Sequence, residues 1–370
     1  RFQTEITDIS VYMDSNRWVS SSDLWILISA ANRDGTVETY VQAGDWDGSS
    51  LSNVRQSLPI SLKVNRLDAR GSVLYWAGNT QAIMRIPFGQ VETNLFWGTD
   101  TTNGGCVGCH SLADEAERLV VTHHGVNGRF SILDIEDPTN PLELIGANDF
   151  NKATFKTISP DGLYMVGFNE CRDSQDGFTC GQIPPGQQPP SSRVTLYEID
   201  TGQPITSWDF DSKLSHPDWS PDGNQIVFVR AYGEYRSDME FSGGELVQRD
   251  IDVENLTFDN ELTLKPQDAT YNYYYPAYSP DGEWIAYNKA LNTAPELCKS
   301  APDASVWLMS RDGTIDIRLD NANGEGNVKN SYPRWGPLPD DDILWLAFSS
   351  QRQYPLRFDG SQGDGNPPPQ

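Results

Sequence analysis

Three copies of one signature constrain the fold of this chain more than any other feature. Phe155-Lys156-Thr157-Ile158-Ser159-Pro160-Asp161-Gly162 runs into Leu163-Tyr164-Met165-Val166, and His216-Pro217-Asp218-Trp219-Ser220-Pro221-Asp222-Gly223 leads to Ile226-Val227-Phe228. The third copy, Tyr275-Pro276-Ala277-Tyr278-Ser279-Pro280-Asp281-Gly282, leads to Trp284-Ile285-Ala286-Tyr287. Ser159, Ser220 and Ser279 stand 61 and 59 residues apart, and a degenerate copy, Tyr332-Pro333-Arg334-Trp335-Gly336-Pro337, precedes Ile343-Leu344-Trp345-Leu346-Ala347-Phe348. A period of this length marks a repeat architecture, in which each unit buries its apolar face only against its neighbours.

Each copy reads as a β-hairpin. Ser and Asp hydrogen-bond their own backbone, Pro presets φ, and Gly takes the positive φ, so the chain reverses between two apolar strands. A second strand pair follows, as in Val194–Gly202 and then Ile205–Trp208. Four strands per repeat is one propeller blade. With a Pro, an aromatic, Ser-Pro-Asp-Gly and a short apolar strand, residues 150 to 350 resemble the TolB-type family of β-propeller repeats. The resemblance implies an all-β fold, a β-propeller of four-stranded blades. Weaker copies upstream, Asn65–Gly71 before Val73–Trp76 and Ser111–Glu115 before Leu119–Val121, bring the hairpins to six. Leu24–Ile28 and Val37–Val41 are expected to supply the outer strands of the last blade and close a ring without exposed edges. Six blades are expected, seven if residues 1 to 20 add strands, in one domain over 1–358, with a disordered Gly- and Pro-rich tail over 359–370.

Inside the second hairpin lies Cys106-Val107-Gly108-Cys109-His110, within the segment 103–112. CxxCH is the attachment signal of a c-type haem: the two thiols add to the porphyrin vinyl groups, and the histidine brings an imidazole nitrogen to the iron. A thioredoxin-type pair would need a βαβ setting, and a zinc site would need a second Cys or His pair at metal spacing. Neither is visible, since the adjacent His123 and His124 point to opposite faces of a strand. Cys106, Cys109 and His110 are therefore the expected haem residues, with His110 the proximal iron ligand. The motif begins a blade's innermost strand, so the haem is expected at one mouth of the central channel.

Candidates for the sixth iron ligand are His123, His124, His216 and the methionines Met13, Met84, Met165, Met239 and Met309. His216 is preferred because it starts an inner strand two blades on and can approach from across the channel; His124 comes second. A methionine would raise the reduction potential, two histidines would lower it, and an open site would admit small ligands.

Cys171 and Cys180 bracket a loop that a disulfide could close, which leaves Cys298 as a buried apolar thiol. The sequence begins at Arg1 without an initiator Met, which fits a chain exported with its signal removed to the periplasm or cell surface of a bacterium. A net charge of −25 argues against nucleic acid and anionic membranes as partners, and no apolar run reaches the length of a membrane span. Asp45-Trp46-Asp47-Gly48 and Asp320–Glu325 are weaker candidates for Ca²⁺. Together these features point to a monohaem electron carrier serving redox protein partners, among them other cytochromes, a membrane complex or further copies of itself. The alternatives are a TolB-like binding scaffold with a structural haem, and a haem enzyme with an open sixth site acting on a small ligand such as peroxide. No hydrolase elbow or phosphate loop suggests other catalysis.

Overall fold

The computed structural model describes residues 2–4, 8–13, 21–66, 71–88, 93–98, 107–113, 117–123, 128–147, 152–170, 191–237, 239–292, 298, 301–326, 329–336 and 343–352. The chain falls into two compact units, the first centred on Arg1–Val73 and the second on Asn94–Pro355. Among the described residues no helix is long and apolar enough to cross a membrane.

In the first unit, strands ordered Asp8–Ile9, Phe2–Gln3, Thr36–Thr39 and Ile60–Lys63 form one sheet. Leu24–Ile28, expected as an outer strand, instead lies within the helix Ser22–Ala31. The physical reason is local. The Ser21 side chain accepts from the Leu24 N–H at the helix start, Asp23 sits in the first turn, and the segment ends in Ser-Ala-Ala. Leu24, Trp25 and Ile28 share a helical face and meet Phe2, Val37 and Val64 in a small core. Val37 belongs to Thr36–Thr39, which pairs with Ile60–Lys63 and Phe2–Gln3, so neither segment serves the last hairpin of the chain.

The second unit is a succession of antiparallel meanders. After a three-stranded sheet (Ser72–Ala77, Ala82–Pro87, Asn94–Trp97) come four four-stranded sheets. Their first strands are Val107–Leu112, Phe155–Ile158, Lys213–Trp219 and Tyr271–Tyr278, and a hairpin of Asn330–Trp335 with Leu346–Ser350 follows. Each of the first strands contacts the next in the series.

Cores lie between consecutive sheets, and the period of two along each strand explains why. In Gln225–Ala231, Ile226 and Phe228 face the Phe155 sheet, while Val227 and Val229 face the Tyr271 sheet. Arg118–His123 divides in the same way, Val120 going to one core and Leu119 with Val121 to the other. A sheet buried on both faces requires a continuous apolar run, which these strands carry. Full burial of each such side chain contributes about 1.5–3 kcal/mol.

The turns behave as the repeat predicts. Ser159 donates to Asp161 at 2.5 Å and its oxygen accepts from the Tyr164 N–H at 2.9 Å, while Gly162 takes φ 69°. Ser220 with Asp222 and Ser279 with Asp281 repeat the bond, beside Gly223 at φ 79° and Gly282 at φ 72°. Hydrogen bonds also join first strands of neighbouring sheets. Thr157 Oγ1 accepts from the Trp219 N–H at 2.9 Å, and Asp218 Oδ2 accepts from the Tyr278 N–H at 2.7 Å.

Candidate functional site

Four residues before each turn stand Cys109, Phe155, His216, Tyr275 and Tyr332. Four of them have a left-handed backbone: Cys109 at φ 42°, His216 at 50°, Tyr275 at 50° and Tyr332 at 58°. At each the pairing register of the first strand slips, between Gly108 and Ser111, Ser215 and Asp218, Tyr274 and Ala277, and Ser331 and Arg334. A bulge of this kind re-aims the side chain it carries, and for a bulky residue positive φ costs about 1–2 kcal/mol. Strain repeated at equivalent positions gathers these side chains in one place.

The rings meet in chain order. Phe155 lies 4.5 Å from His216 between centroids, His216 lies 3.9 Å from Tyr275, and Tyr275 lies 4.3 Å from Tyr332. His216 is only 1% exposed, and neither of its ring nitrogens has a hydrogen-bond partner among the described residues. Burial, and then the nearby Arg334 guanidinium, hold its pKa well below the usual histidine range.

Cys109 and His110 occupy the corresponding bulge of Val107–Leu112, which pairs with Arg118–His123 as the sequence implied. Both are half-buried. The His110 pKa is lowered to about 4 by desolvation and then by the Lys156 and Arg334 charges, a hydrogen bond with the Leu74 backbone acting the other way. Desolvation thus favours the neutral form of His110, the form in which an imidazole ligates a metal. Lys156, 5% exposed, donates to the Cys109 carbonyl and, at 2.5 Å, to Thr122 Oγ1. Arg334 reaches Asp218 Oδ1 and the Pro276 carbonyl, each at 3.4 Å. Lys156 thus acts on Cys109 and His110, and Arg334 on His110 and His216.

Cys106, His124, Cys171 and Cys180 lie outside the described residues. His123 is buried and its Nε2 lies 2.8 Å from Ser131 Oγ. Met165 and Met309 are fully buried in cores between sheets, whereas Met13 is 46% exposed. Cys298 is a buried free thiol donating to the Phe241 carbonyl at 3.1 Å, and burial raises its pKa to about 12. Asp47 binds Ser49 and Ser50 of its own turn, and Asp320 pairs with Arg318. Among the described residues no group of three or more His, Cys, Asp or Glu is arranged to hold a metal ion.

Sequence reasoning did not single out Lys156, Tyr275, Tyr332 or Arg334 for this site. The available signal was position: three of them stand zero or two places from the start of a signature copy, and Lys156 follows Phe155, the start of its own.

No family model matches the sequence, and no curated protein matches it. The solved structures it resembles include TolB-type β-propeller proteins. TolB of Agrobacterium tumefaciens is 16% identical, with a TM-score of 0.42 over 76% of this chain and 88% of that one. TolB of Acinetobacter baumannii, also 16% identical, gives 0.40 over 83% of this chain and 64% of that one. The hydrazine synthase of Kuenenia stuttgartiensis is 14% identical, with a TM-score of 0.40 over 72% and 67%. No activity follows from likeness at this level.

Proposed function

We propose that the second unit is a six-bladed β-propeller carrying one c-type haem, attached through Cys106 and Cys109 with His110 on the iron, and that the protein passes single electrons to protein partners in the bacterial periplasm or at the cell surface. When bound, the haem supplies a one-electron couple. The observation that carries the reading is His216. Leaving a buried polar group without a partner costs about 1–3 kcal/mol, and folded proteins rarely do so unless water or a ligand takes it. Iron shared with His110 would occupy one of the His216 nitrogens, and Arg334 lies near enough to both imidazoles to act on each.

The role of the protein side chains follows from their surroundings. Phe155, Tyr275 and Phe241 pack round the His216 ring and hold water away from it. Cys109 and His110 keep exposed surface, and Tyr332 is 40% exposed, so an edge of the group would stand near solvent, where a partner docks. A single haem does not conduct over long distance. Redox partners, or further copies of this chain, must bring other cofactors close, and a net charge of −25 favours a basic docking face. A second reading, a protein-binding scaffold with a structural haem, draws on the deep burial of His216 and Lys156.

The test is the visible spectrum of protein made with c-type haem maturation, taken oxidised, reduced, and reduced under carbon monoxide. Covalent haem that cycles reversibly and ignores carbon monoxide is the expected result. Haem that cannot be cycled would favour the scaffold, a carbon monoxide shift would favour an open site for a small ligand, and protein without covalent haem would overturn the proposal.

A further inference from the structure

We infer that Lys156 sets the reduction potential of this site, as a buried positive charge held beside Cys109 and His110 without a neutralising carboxylate; the inference rests on the haem reading above. The chain has 52 acidic residues against 27 basic ones, so acids to pair with a cation are plentiful. Several basic side chains of the second unit are paired with acids, Arg118 with Asp134, Arg193 with Asp209, Lys265 with Asp316, and Arg230 and Arg249 with Glu261, while Lys289 lies over the rings of Tyr271 and Trp307. Lys156 is more deeply buried than these, and both of its acceptors, the Cys109 carbonyl and Thr122 Oγ1, are neutral. Among the described residues it makes no ion pair.

Burying an ammonium costs several kcal/mol, which a carboxylate partner or good hydrogen bonds must offset. A neutral donor would hold the same carbonyl and hydroxyl at lower cost. The charge therefore calls for a use, and the position supplies one. Lys156 grips the residue whose sulfur would carry the porphyrin, and His110 is next to that residue in the chain. A haem held by Cys109 and His110 would supply a one-electron ferric/ferrous couple, its electron coming from the redox partner, so the positive charge facing Lys156 would fall by one on reduction with no bond made or broken. A fixed cation in a desolvated setting favours the reduced form, so Lys156 raises the potential that two histidine ligands would otherwise keep low.

The experiment is an electrode-poised spectroscopic titration of the haem-loaded wild type, Lys156→Met, Lys156→Gln and Lys156→Arg. Loss of the charge in Met or Gln should lower the midpoint so that, at fixed ambient potential, the ratio of reduced to oxidised protein falls about tenfold, a shift of about 59 mV for one electron. Arg should restore most of it. Gln keeps donors for both acceptors, which separates charge from anchoring and gives a second variant should Met fail to fold. Haem-loaded Met or Gln protein with the wild-type midpoint overturns this inference alone. Wild-type protein that carries no covalent haem overturns the haem reading and this inference together.

Discussion

The imidazole of His216 and the phenol of Tyr275 stack at 3.9 Å between centroids, tilted by 42°, although they belong to different sheets and stand 59 residues apart. Each occupies the left-handed position of a bulge that its repeat places four residues before the turn serine. The contact is thus a product of the repeat, which delivers Cys, His, Tyr and Tyr from left-handed bulges and Phe155 from a regularly paired strand start.

That equivalence selects the informative substitution. His216→Phe puts at this position the residue that the preceding repeat carries at Phe155, and it keeps an aromatic ring against Tyr275. On the haem proposal this variant should keep covalent haem but open its sixth position, so that the reduced protein acquires a carbon monoxide shift that the wild type should lack. An unchanged low-spin spectrum in this variant would remove His216 from the iron.

The bond from the Trp219 N–H to Thr157 Oγ1 ties two neighbouring sheets at their first strands, with both residues buried. Thr157→Val keeps the shape and removes the acceptor, leaving a buried N–H alone at a cost of about 1–3 kcal/mol. Urea denaturation should show a lower midpoint with an unchanged slope. A midpoint equal to wild type would mean that the bond contributes nothing net.

Much of the second unit was legible before any coordinates. Ser159, Pro160, Asp161 and Gly162 dictate their turn through bonds they make with themselves, and the apolar runs after them announce strands buried on both faces. Leu24–Ile28 was misread because a short apolar run does not distinguish strand from helix; the deciding atom is the Ser21 hydroxyl outside the run. Cys109, His110 and His216 were singled out by motif and repeat register, and the structure places the His216 ring among Phe155, Tyr275 and Phe241. Lys156 was not, because its meaning depends on Cys109 and Thr122, which lie 47 and 34 positions away and are brought to it only by packing of one sheet on the next.

Two glycines separate conformational from steric demand. Gly223 has φ 79° with open space where a Cβ would stand, so Gly223→Ala should cost only the left-handed penalty of about 1–2 kcal/mol. At Gly244 a Cβ would lie 2.2 Å from the Tyr273 carbonyl oxygen and 2.8 Å from Asn272 Oδ1, so Gly244→Ala must push two sheets apart. Its cost belongs at or above the top of the roughly 1–3 kcal/mol typical of overpacking. Thermal midpoints that rank the two variants the other way would contradict the packing described between these sheets.

Alkaline pH should expose the buried phenols together. Desolvation raises the Tyr197 pKa to about 12, and burial raises Tyr278 and Tyr287 further, Tyr287 also donating at 2.5 Å to Asp316. The folded state holds these protons more tightly than the unfolded chain, whose tyrosines ionise near pH 10. Their contribution to stability is therefore complete below about pH 10 and declines as pH rises above it through the folded pKa values. Phenolate absorbance should grow in two stages, first the accessible tyrosines and then, with unfolding, the buried ones, while circular dichroism marks the second stage. A single smooth titration centred near pH 10, with the strand signal intact, would show that these hydroxyls are open to solvent.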